Sequence, residues 1–212
     1  MALYEDYRGE GRGYAIWKME ESLDQLAALL HNPALLAAAQ SRFTHPVKQM
    51  EFLAVRLLIA HSLAPHEEVE YLPTGKPFLK SHSHFISISH TRGYVALAWN
   101  DTCESGVDIE QRAPRVTKVR SRFVNDEEEA ALDRSCELEA LLLHWSAKET
   151  AYKILDVPGL DFKVQLHIHP FKVQPSGQFI IQESCTPVKR LFVIDYLVKP
   201  DFVFTCSFAS GL

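Results

Sequence analysis

The chain has 212 residues, 47% hydrophobic and 23% charged, which suits one large globular domain or two small ones and excludes disorder. Its formal net charge of -5 gives no general attraction for nucleic acid, so any anionic ligand has to be met by a local basic cluster. Four cysteines (Cys103, Cys136, Cys185 and Cys206) are scattered without a C-x-x-C pair, which argues against zinc and fits reduced thiols acting as structural fillers.

The opening Met1-Ala2-Leu3-Tyr4-Glu5-Asp6 lacks the basic and apolar regions of a signal peptide, and no apolar run approaches the ~20 residues of a membrane span. A soluble, cytoplasmic protein with no membrane or nucleic-acid partner is therefore expected. Periodicity predicts a strand around Tyr14–Met19, helices near Glu20–Leu30 and Ala34–Ser41, and a longer helix near Pro46–Leu63. Short strands follow at Val69–Leu72 and across Phe85–Trp99, the latter broken at Arg92-Gly93. The order then repeats. A strand at Gly106–Glu110 precedes helices near Val116–Phe123 and Asp126–Asp133 and a long helix near Glu137–Leu155, with strands near Val164–His169, Gln178–Gln182, Leu191–Val198 and Phe202–Phe208. The expected class is α+β, with similar subdomains over 1–102 and 103–212, related by a pseudo-twofold, and a ligand cleft between them.

In Gly106-Val107-Asp108-Ile109-Glu110 the carboxylates alternate with apolar residues, so on a strand Asp108 and Glu110 share one side. Such a pair suits either a solvated outer face or a hard divalent cation, for which Mg²⁺ takes carboxylates, phosphate oxygens and water. On the long helix, Leu138, Leu142 and Trp145 define a stripe that continues through Glu149 and Tyr152. Glu149 and Lys153, at i and i+4, are either an internal ion pair or a pair aimed into the groove. Ser87-Ile88-Ser89-His90-Thr91-Arg92-Gly93 gathers donors suited to phosphate oxygens in the break between two strands, and Lys76 adds a cation on a tight turn. His167 with His169, and His82 with His84, alternate without a third ligand and read as ordinary strand histidines.

Taken in order, Gly75-Lys76-Pro77, Phe85-Ile86-Ser87-Ile88-Ser89-His90, Gly106-Val107-Asp108-Ile109-Glu110 and Trp145-Ser146-Ala147-Lys148-Glu149-Thr150-Ala151-Tyr152-Lys153 resemble the signature of the 4′-phosphopantetheinyl transferase superfamily. The duplicated layout resembles its surfactin-synthetase-activating (Sfp-like) type. That resemblance implies transfer of 4′-phosphopantetheine from coenzyme A to a serine of an apo-carrier protein of acyl, polyketide or peptidyl type, by a monomer. It implies Asp108, Glu110 and Glu149 as ligands of Mg²⁺, with Mn²⁺ a possible substitute. Lys148 and Lys153 would meet the phosphates, Ser89 and His90 the diphosphate region, Lys76 the nucleotide end and Lys48 the 3′-phosphate. Glu128 matches the family's general base, with Glu127 as the alternative register. The basic run Arg112, Arg115, Lys118, Arg120 and Arg122 is expected to dock an acidic carrier helix. Two other readings compete: a magnesium-dependent phosphoesterase acting on coenzyme A or a nucleotide, and a non-catalytic module that binds coenzyme A or the carrier.

Overall fold

A computed structural model describes residues 3–209, so Met1 and Ala2 of the opening segment lie outside the described residues. The chain runs β1 (Leu3–Gly9), β2 (Arg12–Lys18), α1 (Leu23–Leu30), α2 (Pro33–Arg42), α3 (Pro46–Ser62), β3 (Val69–Tyr71), β4 (Pro77–Leu79), β5 (Phe85–Thr91) and β6 (Tyr94–Asn100). It continues with β7 (Ser105–Gln111), a 3₁₀ helix (Pro114–Arg122), α4 (Asp126–Ala131), a short 3₁₀ turn (Arg134–Cys136), α5 (Glu137–Leu155) and α6 (Phe162–Gln165). The last strands are β8 (Leu166–Ile168), β9 (Ser176–Glu183), β10 (Leu191–Val198) and β11 (Phe202–Phe208). The α+β class is as expected.

Local chemistry sets the helix starts. Ser22 and Gln25 form a capping box on α1, Asn32 caps α2 ahead of a proline, and Asn125 with Glu128 boxes the start of α4. Some expectations need correction. β1 adds a strand that the periodicity does not predict: four of its seven residues are charged or glycine, and its pairing with β2 supplies what its own pattern lacks. The segment after β7 is a 3₁₀ helix rather than an α-helix, opened by Pro114 and carrying no side-chain cap. Val164 belongs to the turn of α6, which Asp161 caps, and not to β8. His82 and His84 sit in a turn rather than on a strand, His82 with a left-handed φ of 54°.

The strands form a four-stranded sheet β1-β2-β6-β5, a five-stranded sheet β7-β11-β10-β9-β8, and the small pair β3-β4. In each large sheet the strand that precedes the helices pairs antiparallel with the strand that ends the set, β2 with β6 and β7 with β11. α1 and α3 pack on the first sheet around Leu26, Leu53, Leu58 and Trp99, and α5 on the second around Leu141, Leu143, Ile181 and Ile194. A third apolar cluster lies between the sheets, where Ile16, Tyr94 and Ala96 meet Val107, Ile109, Phe202 and Phe204. Val107 and Ile109 thus face this shared core, and the intervening Asp108 and Glu110 project from the opposite side of β7.

Candidate active site

α5 lies so close to β7 that a β-carbon on Gly106 would stand 2.4 Å from the Thr150 carbonyl oxygen and 2.8 Å from the Ile154 side chain. Only glycine permits that approach. The helix is also tied to β11, because the hydroxyls of Ser146 and Thr150 reach Thr205 Oγ1 at 2.9 and 2.7 Å. These contacts bring one edge of α5, with Trp145, Glu149 and Lys153, against Asp108 and Glu110.

Asp108 is 5% exposed. Its Oδ1 accepts hydrogen bonds from Ser89 Oγ at 2.8 Å and Lys153 Nζ at 2.9 Å, while Lys153 also donates to the Val107 carbonyl at 2.7 Å. Glu110 Oε1 accepts from the Trp145 indole at 2.8 Å, and Arg115 lies 3.6 Å from Oε2. Burial, and then the charge of Asp108, push the Glu110 carboxyl above the usual carboxylate range. The same two causes push Glu149 up to about 7, with Lys153 acting in the opposite direction. Three carboxyl groups are therefore close enough to repel one another.

The other buried oxygen, Asp108 Oδ2, has no hydrogen-bond partner. A buried acceptor left in this state is costly unless something cationic or hydrated meets it. Among the described residues, no group of three or more His, Cys, Asp or Glu side chains stands as a finished metal site. Lys153 occupies one oxygen of Asp108, and Trp145 and Arg115 engage Glu110. An all-carboxylate donor set with one buried oxygen unpartnered nevertheless fits a hard cation such as Mg²⁺.

Three cavities flank these residues, each lined from both sides of the seam. One of about 160 Å³ holds Lys76, Ser87, Tyr152 and Lys153; beside it, a space of about 850 Å³ is lined by Lys76, Phe78, His82, Phe85 and Glu104. The third, of about 560 Å³, is lined by Lys48, Glu51, His90, Arg92, Glu110 and Arg115. Lys76 pairs with Glu104 at 2.8 Å and Thr74 Oγ1 donates to Asp156 at 3.1 Å, so the Gly75 turn is tied to the far side. Lys48 and His90 both reach Glu51, at 2.8 and 3.2 Å, and remain about half exposed.

Two expected residues lie elsewhere. Glu128 is 1% exposed and Lys148 is 0% exposed, and they pair at 2.8 Å inside the second core. Glu128 also accepts from the backbone N–H of Asn125 and Ile168, and Lys148 donates to the carbonyls of Phe123 and Phe162. Burial lowers the Lys148 pKa while the charge of Glu128 opposes the shift. All three ammonium hydrogens of Lys148 are engaged, and both oxygens of Glu128 already accept hydrogen bonds inside the core. Glu127 is exposed beside His167 and lines none of the three cavities. Of the basic run, Arg112 pairs with Glu139 and Arg120 with Glu129 and Glu137, leaving Arg115, Lys118 and Arg122 exposed. Trp145 was foreseen only as an apolar member of the stripe; its i, i+4 relation to Glu149 was the signal that it also faces the carboxylates.

Residues 104–205 match the family model described as the 4′-phosphopantetheinyl transferase superfamily. This segment takes in Asp108, Glu110, Glu149 and Lys153. The match supports a transferase activity that moves phosphopantetheine, with coenzyme A and a carrier protein as its implied partners. No curated protein matches the chain.

Proposed function

We propose that the chain is an Sfp-like 4′-phosphopantetheinyl transferase, which moves the 4′-phosphopantetheine group of coenzyme A onto a serine of an apo-carrier protein and releases 3′,5′-ADP. The observation that carries this reading is the unpartnered, buried Oδ2 of Asp108 among the mutually repelling carboxyls of Glu110 and Glu149. Asp108, Glu110 and Glu149 would hold a divalent cation, Mg²⁺ or Mn²⁺. Bound there, the cation would offset the charge of the diphosphate and of the transferring group.

The remaining work falls to the chain itself. Lys153, anchored on the Val107 carbonyl, presents its ammonium beside Asp108, where it can stabilise charge on the transferring phosphoryl group. Lys76 and its turn line the adjoining cavities and suit the nucleotide end of coenzyme A. His90, Lys48 and Arg92 line the cavity on the other side of the seam, where Lys48 and Arg92 offer cations and His90 a ring nitrogen to the remaining phosphates. Glu128 is held in its buried ion pair with Lys148, so proton removal from the attacking serine hydroxyl would fall to a carboxylate of this cluster that the cation leaves free. Arg115, Lys118 and Arg122 form the basic face for an acidic carrier, with Arg115 beside Glu110.

The test is to incubate the protein with coenzyme A, Mg²⁺ and several apo-carriers and to weigh the intact carrier. A mass gain of one phosphopantetheine, abolished by chelator and lowered about 10²–10³-fold in Glu149→Gln, is the expected result. Coenzyme A breakdown without carrier labelling would establish a phosphoesterase instead, and binding without either reaction a non-catalytic module.

A further inference from the structure

β5 and β7 belong to different sheets, yet they run side by side in the same direction without a backbone ladder. Successive N–H groups of a strand point to opposite edges, so β7, paired on one edge with β11, has an alternate set directed away from it. That set is Val107, Ile109 and Gln111. Each finds a side-chain hydroxyl on β5: Val107 N–H donates to Ser87 Oγ at 3.1 Å, Ile109 N–H to Ser89 Oγ at 3.4 Å, and Gln111 N–H to Thr91 Oγ1 at 3.0 Å. At the start of the strand the polarity reverses, Ser105 Oγ donating to the Phe85 carbonyl at 3.0 Å. All four contacts span 20 residues, so the register is constant along the seam.

We propose that Ser87, Ser89 and Thr91 form a hydroxyl ladder that registers β7 against β5, and that Ser89 is a positioning residue for Asp108 rather than a ligand of phosphate. Alternation on β5 explains the spacing, since hydroxyls at every second residue face one side and meet N–H groups at every second residue of β7. Buried N–H groups on β7 would otherwise have no acceptor. Ser89 carries one hydroxyl hydrogen and donates it to Asp108 Oδ1, which leaves no donor for a phosphate oxygen. Its lone pair meanwhile holds the Ile109 N–H, so a single side chain fixes both the backbone of β7 and the carboxylate that projects from it. The part of this inference that concerns the cation rests on the function proposed above; the ladder does not.

Two measurements on the full chain test it. Amide exchange by NMR reads the ladder directly: Thr91→Val should speed exchange of the Gln111 N–H about tenfold, and Ser87→Ala that of Val107, with amides remote from the seam unchanged. Mn²⁺ binding without coenzyme A, followed by water-proton relaxation, reads the positioning. Ser89→Ala should weaken it about tenfold, Ser89→Thr should restore it, and coenzyme A affinity without metal should stay as in the wild type. Unchanged exchange in both Thr91→Val and Ser87→Ala would overturn the ladder. A Ser89→Ala variant that loses coenzyme A affinity while keeping Mn²⁺ would return Ser89 to the phosphate. Wild-type protein that takes up no Mn²⁺ would sink the cation reading alone, and the exchange rates would still decide the ladder.

Discussion

Trp145 gives Glu110 an indole donor while its ring packs between Phe123 and Phe162, so packing and carboxylate orientation are separable at this residue. Trp145→Phe keeps an aromatic ring and removes the N–H. The variant should remain folded and should need several-fold more Mg²⁺ for half-maximal transfer, as loss of one hydrogen bond to a charged group predicts; a titration of transfer against Mg²⁺ checks it. Glu183 has a different task. Burial raises its carboxyl, but donors from Thr186, Arg190 and Cys185 outweigh that and hold it down to about 2. Its folded pKa lies below the unfolded value, so it contributes stability that is complete above about pH 4.5 and is lost as the pH falls through about 2. Glu183→Gln should therefore narrow the stability gap to wild type between those limits, measured as denaturation midpoints over an acid series.

At the scale of elements, the approach of β7 to α5 and the buried pair Glu128–Lys148 decide whether the site forms. Gly106→Ala places a methyl group against the Thr150 backbone, which cannot yield as a flexible side chain would. It should cost about 1–3 kcal/mol in chemical denaturation and reduce transfer even where the protein stays folded. The buried pair ties α5 to α4, to α6 and to the end of the 3₁₀ helix through the Phe123 carbonyl. Lys148→Ala would strand a buried carboxylate and should destabilise by about 3–5 kcal/mol. A double replacement of Glu128 and Lys148 by apolar residues of similar volume should recover much of that loss. If Lys148 is structural as the geometry indicates, coenzyme A affinity of the folded fraction will be unchanged.

Across the whole molecule, the groove depends on links between the sheets: the apolar cluster of Ile16, Val107 and Phe204, the Lys76–Glu104 pair and the hydroxyls of β5. Under the proposed function, a chain of net charge -5 would attract an acidic carrier through the local face of Arg115, Lys118 and Arg122. Raising ionic strength should then increase KM for the carrier more than KM for coenzyme A, and Lys118→Glu should remove much of that salt dependence; steady-state kinetics at graded salt measure both.

Much of this was legible along the chain because it rests on local periodicity. The alternation in Val107-Asp108-Ile109-Glu110 put both carboxylates on one side of a strand, and the stripe through Trp145 and Glu149 put a third on a helix face. Partners distant in sequence were not legible. Ser87, Ser89 and Thr91 read as free phosphate donors until β7 came alongside them, and Glu128 and Lys148 read as chemistry until the core closed over both. Sequence by itself determined the α+β class and most elements, because backbone pattern and side-chain type carry those. Tertiary structure alone decided which polar groups remain available, because a hydroxyl has one hydrogen and a carboxylate a limited number of lone pairs, and only the packed chain assigns them.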